Sequence, residues 1–243
     1  MAVSCGIAHP GNAFRLSALF FAGALFISAV LPARATTIFD NSVNDLGTRF
    51  APGTTEVGDE ILLGGTDRYL TNFSFEFWGA NTASPTSFAG DVEARVRFYE
   101  NNGTPFNGYA TPGTVFFDSG WFSVPSPTAR STFIFTPGAG LPDDGLFIPT
   151  SDMTWSVQFE GMGLTDSVGV DIYSPPVVGE DYPDYWANGD GGWMLLTNTV
   201  PMDFAARLEA TSSIPEPPVA MLCLFGGLGI LGLAWRLRRK EQA

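Results

Sequence analysis

Thr71-Asn72-Phe73-Ser74-Phe75-Glu76-Phe77-Trp78 is the stretch that decides the fold. Phe73, Phe75 and Phe77 recur at every second position with Ser74 and Glu76 between them, so an extended chain carries three rings on one side and polar groups on the other. That is the pattern of a half-buried strand. Working outward, Val92, Ala94, Val96 and Phe98 alternate with Glu93, Arg95 and Arg97, and Trp155, Val157 and Phe159 alternate with Ser156, Gln158 and Glu160. Val168, Val170 and Ile172 stand against Gly169 and Asp171, and Phe204, Ala206 and Leu208 against Ala205, Arg207 and Glu209. Turn clusters separate these runs: Asn101-Asn102-Gly103-Thr104-Pro105, Pro137-Gly138-Ala139-Gly140 and Leu141-Pro142-Asp143-Asp144-Gly145. Asp59-Glu60, like Asp143-Asp144, neighbours Gly or Pro and reads as a solvated turn. Helical period is confined to the two terminal apolar runs. The chain between them is expected to be all-β, with roughly nine to eleven short strands in two packed antiparallel sheets. A jelly-roll-like β-sandwich is the first expectation and a closed barrel the alternative.

The ends carry addresses. Residues 1–35 read as a cleavable secretory signal peptide: Arg15, an apolar stretch from Leu16 to Val30, then Ala33-Arg34-Ala35, with the mature chain starting at Thr36. Residues 36–210 form the expected ectodomain and 211–218 a linker containing Pro215-Glu216-Pro217. Val219 to Trp235 holds no charge over seventeen residues, enough for a short transmembrane helix across a hydrocarbon core of about 30 Å. Its glycines at 226, 227, 229 and 232 are tolerated in membrane helices. The tail 236–243 begins with Arg236, Arg238, Arg239 and Lys240, a cluster that stays cytoplasmic and leaves the ectodomain outside.

Pro215-Glu216-Pro217, an apolar span over 219–235 and an Arg-rich end, in that order behind a secretory signal, resemble the PEP-CTERM sorting signal of Gram-negative bacteria. The resemblance implies export, an inner-membrane precursor and processing by signal peptidase and an exosortase, with the product at the cell surface or in the extracellular matrix. The prolines suit a processing site, because they forbid regular helix and hold the backbone extended. Arg95-Val96-Arg97-Phe98-Tyr99-Glu100-Asn101-Asn102-Gly103, followed by Gly113-Thr114-Val115-Phe116-Phe117-Asp118-Ser119-Gly120, resembles a β-rich ectodomain recurrent among PEP-CTERM proteins. That likeness bears on fold and implies no activity.

Composition removes whole classes of chemistry. Between residues 36 and 213 there are six arginines, no lysine and 23 carboxylates, a formal charge of −17. Such a domain is repelled by phosphate backbones, so nucleic acid is not an expected partner. Divalent cations, basic surfaces and neutral polysaccharide remain compatible. The histidine is His9 and the cysteines are Cys5 and Cys223, all outside this stretch. Ser-His-Asp and Cys-His nucleophiles, Schiff-base lysines, the usual zinc sites and disulfides are therefore excluded from the domain.

One segment, Glu180 to Trp193, mixes carboxylates with four aromatics and three glycines and reads as a loop. Asp181, Asp184, Asn188 and Asp190 would offer oxygen ligands suited to calcium, although their spacing matches no EF-hand. Tyr182, Tyr185, Trp186 and Trp193 would instead offer flat faces to the sugars of an extracellular polysaccharide. An ordered connection with its aromatics tucked onto the sandwich is the plain structural alternative. No catalytic residue and no cofactor other than calcium is expected. Together these readings describe an exported, non-enzymatic surface or matrix protein. The alternative is a secreted carboxylate glycosidase, a class that needs neither histidine nor cysteine, with Glu93 and Glu160 as an example of a pair.

Overall fold

The computed structural model describes residues 34–213. The signal segment up to residue 33, the Pro215, Glu216 and Pro217 motif, the 219–235 span and Arg236, Arg238, Arg239 and Lys240 lie outside the described residues. Among the described residues no helix is long and apolar enough to cross a membrane.

The described chain is all β, and its strands are numbered in chain order. One sheet runs β1 (Thr36–Asp40), β15 (Ala206–Thr211), β4 (Tyr69–Asn81), β11 (Asp166–Tyr173) and β2 (Asp45–Phe50). Along the opposite edge of β4 lie β7 (Thr128–Pro137) and β9 (Leu146–Phe147), with β8 (Gly140–Leu141) beside β7. The other sheet runs β14 (Gly192–Thr197), β13 (Asp184–Gly189), β3 (Glu56–Leu62), β10 (Asp152–Glu160), β5 (Glu93–Glu100) and β6 (Val115–Ser123), with β12 (Glu180–Asp181) also on β3. Every pairing is antiparallel except the two-residue contact of β7 with β8.

The alternation in β4 holds: Phe73, Phe75 and Phe77 are buried and Ser74 and Glu76 are less so. Phe73 meets Phe98 of the other sheet edge-on with ring centroids 4.9 Å apart, and Trp155 at 5.4 Å. The two sheets thus share one core, as a sandwich does. Burying an aromatic side chain of this kind removes about 150–250 Å² from water, so these rings dominate the driving force.

Three expectations change. The described residues hold fifteen strands rather than nine to eleven, three of them only two residues long. The outer faces are also drier than alternation predicts, because Thr154 and Ser156 of β10 and Asp171 of β11 are as buried as the core. A layer of hydrogen-bonded side chains lies over them, and alternation has no signal for a polar residue covered by another polar residue. Asp59-Glu60 is not a turn. It lies within β3, and Asp59 is wholly buried. Gly58 is a strand residue there: a Cβ on it would sit 2.7 Å from the Thr154 side chain. Asp143 and Asp144 do form the expected exposed turn.

Candidate functional site

The second sheet carries polar clusters on both its faces. On the outer face Glu56, at the start of β3, is almost fully buried. Its carboxylate accepts hydrogen bonds from Arg97 at 2.7 Å, Tyr99 Oη at 2.7 Å, Ser156 Oγ at 2.6 Å and Asn188 Nδ2 at 3.2 Å. Strand register places these donors together: Arg97 stands opposite Ser156, and Asn188 opposite Glu56. Burial, then the bond to Glu56, pushes the Tyr99 hydroxyl well above its ordinary range. Asp118 is shared by Arg95 and Arg97, and its bond to Arg95 holds its pKa down to about 2. Glu56 is therefore clamped by four donors that occupy both of its oxygens, a structural role.

The segment Glu180–Trp193 is not a loop: it forms β12, β13 and the first residues of β14. Asp181 lies on β12 and faces inward with Ile61, its register partner. Asp184 starts β13. Asn188 is bound to Glu56 on the outer face, and Asp190 is exposed at the tip of the β13–β14 hairpin. The four oxygens expected to gather round one ion are thus dispersed over both faces and a hairpin tip. The four aromatics likewise share no surface. Tyr182 is 43% exposed, while Tyr185 packs against Phe50 and Phe204 in the core. Trp186 has no exposed surface and donates its indole N–H to Glu60 at 3.2 Å, and Trp193 packs edge-on against Tyr99. A buried ring presents no face to a sugar, so only Tyr182 keeps one substantially in solvent.

On the inner face the structure brings Asp181 together with Asp59 and Asp203, two carboxyls that the sequence did not mark as site residues. Asp59 of β3 has no exposed surface, and its Oδ2 accepts the backbone N–H of Phe204 at 2.7 Å. That bond crosses from one sheet to the other. Asp203, beside Phe204, is almost fully buried, and Asp181 lies near enough for the two charges to bear on each other. Burial, followed by the charges of Asp181 and Asp203, raises the Asp59 carboxyl well above its usual range. Burial and then Asp203 push Asp181 up to about 8, and burial raises Asp203 too. Asp59 Oδ1, Asp181 Oδ2 and Asp203 Oδ1 are buried with no hydrogen-bond partner. One signal was available: Val57, Asp59 and Ile61 share a period of two, which puts Asp59 on the core face.

Comparison with family models, with curated proteins and with solved structures finds no match to this chain. Chemistry must come from the groups present, and residues 34–213 contain no histidine, lysine or cysteine. Glu93 and Glu160 stand directly opposite each other in the β5–β10 register on the outer face. Two surface depressions, one bounded by Phe116, Asp118, Asp143 and Leu146 and one by Asn81, Pro85 and Pro127, include neither glutamate.

Proposed function

We propose that this chain is an exported, non-enzymatic protein of the cell surface or extracellular matrix, made as an inner-membrane precursor and processed by an exosortase. The observation that carries this reading is the order of parts in the sequence: signal segment, ectodomain, Pro215-Glu216-Pro217, apolar span over 219–235, and Arg236 to Lys240. The ectodomain adds support. Its chain crosses repeatedly from one sheet to the other, in keeping with a jelly-roll-like sandwich, and several of its acids are bound into structure. A charge of −17 without lysine also suits a soluble face turned to neutral polysaccharide or cations.

The sorting step is tested by pulse-chase in cells with and without exosortase. The expected result is loss of the C-terminal segment, and with it release from the membrane, only where exosortase is present. Identical mass and membrane retention in both strains would overturn it.

The register of Glu93 against Glu160 favours a second reading, carboxylate glycoside hydrolysis. Cross-strand neighbours have Cβ atoms about 4.5–5.5 Å apart, near the roughly 5–5.5 Å carboxyl separation of retaining enzymes. Hydrolysis of a polysaccharide panel that disappears in Glu160→Gln would establish it. No turnover on any substrate would leave the non-enzymatic reading standing.

A further inference from the structure

The chain leaves its last strand, β15, at Thr211, and seven residues, 212–218, separate that point from the apolar run that opens at Val219. Fully extended, they reach about 25 Å, so the end of the sandwich that carries Thr211 is held within that distance of any bilayer the run enters. Strand register identifies what else lies at this end. Thr211 stands opposite Tyr69 at the start of β4, Tyr69 opposite Phe147, and Thr36, where β1 begins, opposite Ala210. The connections from β3 to β4 and from β9 to β10 turn here, joined by the bond from Leu63 N–H to the Ser151 carbonyl. Asp152 of β10 and Glu180 of β12 both stand opposite Leu62, and β5 ends at Glu100 opposite Met153. The 101–114 connection and Tyr182 therefore belong to the same end.

We infer that this end of the sandwich rests on a lipid surface of zwitterionic headgroups, with Tyr109, Phe147 and Tyr182 set in the interfacial layer. The inference rests on the membrane-precursor reading above. Among the described residues these three are the exposed large aromatics, at 60%, 53% and 43%, and all three lie at the tethered end. Their neighbours fix their places. Tyr109 closes a two-residue hairpin with Phe106 through Asn107 and Gly108, both at positive φ, and Phe147 lies on Tyr69 with ring centroids 5.2 Å apart. Rings with an apolar body suit the boundary between headgroups and acyl chains, where apolar side chains sit about 5–10 Å deep and a phenol keeps its hydroxyl wet.

Charge selects the lipid. Asp67, Glu100, Asp143, Asp144, Asp152 and Glu180 share this end. Arg68, the one basic residue of 36–213 there, is turned onto the carbonyls of Gly65 and Asp67. Anionic headgroups are repelled by such a surface, whereas neutral ones are not. The contact need not be strong, because a tether of seven residues gives the domain an effective concentration at the bilayer on the order of millimolar.

The test uses the full-length chain, with Cys5→Ser and Cys223→Ser, in phosphatidylcholine nanodiscs whose headgroups carry a spin-label quencher. A fluorophore is attached at Thr66→Cys, in the β3–β4 connection, or at Leu164→Cys, in the β10–β11 connection at the opposite end. The thirteen residues of β4 set these ends about 40 Å apart. Quenching is expected at Thr66→Cys and not at Leu164→Cys. It should fall several-fold when Tyr109→Ser, Phe147→Ser and Tyr182→Ser are combined, and weaken when phosphatidylglycerol is added. Equal quenching in the triple variant assigns the signal to the tether alone and overturns the proposal, as does stronger quenching on phosphatidylglycerol. Should the triple variant fail to fold, Tyr109→Ser alone decides, with a partial loss expected and an unchanged signal counting against the docking. A chain that never enters the nanodisc defeats the membrane reading and the proposal with it, whereas one that enters without quenching at Thr66→Cys defeats the proposal alone.

Discussion

Glu56 and Asp181 show how the same functional group takes opposite roles on the two faces of one sheet. Glu56 is buried but held by four donors, and removing it strands them. Glu56→Ala leaves a buried phenol and Ser156 without their carboxylate and a largely buried arginine with Asp118 alone, and breaking such a pair costs about 3–5 kcal/mol. Urea unfolding should show that loss, and Glu56→Gln should recover part of it through its remaining carbonyl. Asp181 has no such donors and keeps its proton. Its pKa rises from an ordinary 3.8 to about 8, so the folded state binds that proton more tightly than the unfolded state does. The stabilisation is full below about pH 4 and is lost as pH climbs through about 8. In EDTA, stability is therefore expected to fall between those values, and Asp181→Asn should flatten the slope. An unchanged slope in that variant would mean another group carries the proton. None of this could be read from residue type alone, because Glu56 and Asp59 lie three positions apart with the same charge; only the face each occupies separates them.

At the scale of strands, alternation revealed β4, β5, β10, β11 and β15, each with a face of large apolar side chains. It was silent on β2, Asp45–Phe50, whose residues are mostly exposed or half-buried at a sheet edge. It also misread Glu180–Trp193, where carboxylates and glycines mimic a loop but sit in a hairpin whose tip is Asp190-Gly191. Strands with polar side chains on both faces, or at an edge, lack the contrast that a period of two requires. The attachment of β2 to β11 shows what such an edge depends on. A Cβ at Gly169 would lie 1.9 Å from the carbonyl oxygen of Phe50, so any side chain there must push β2 away from β11. Gly169→Ala is expected to cost about 1–3 kcal/mol, as overpacking does, and to speed hydrogen exchange in β2 more than in β5. Exchange in β2 unchanged relative to β5 would show that the backbone yields without parting the strands.

Over the whole molecule, the proposed sorting signal is a linear pattern that sequence alone can display, whereas the inner-face acids belong to segments more than twenty residues apart joined only by folding. Net charge, by contrast, is plain in both views. Six arginines against 23 carboxylates leave a self-repelling domain, and most of its ion pairs are part-exposed, each worth about 0–1 kcal/mol. Salt acts on both quantities. Raising ionic strength shortens the screening length from about 30 Å at 0.01 M to about 10 Å at 0.1 M, which weakens long-range repulsion among 17 excess charges more than it weakens contacts at hydrogen-bond distance. Sodium chloride added in EDTA should therefore raise Tm over that range. A fall would mean that the arginine pairs, rather than the excess of acids, set the electrostatic contribution to stability.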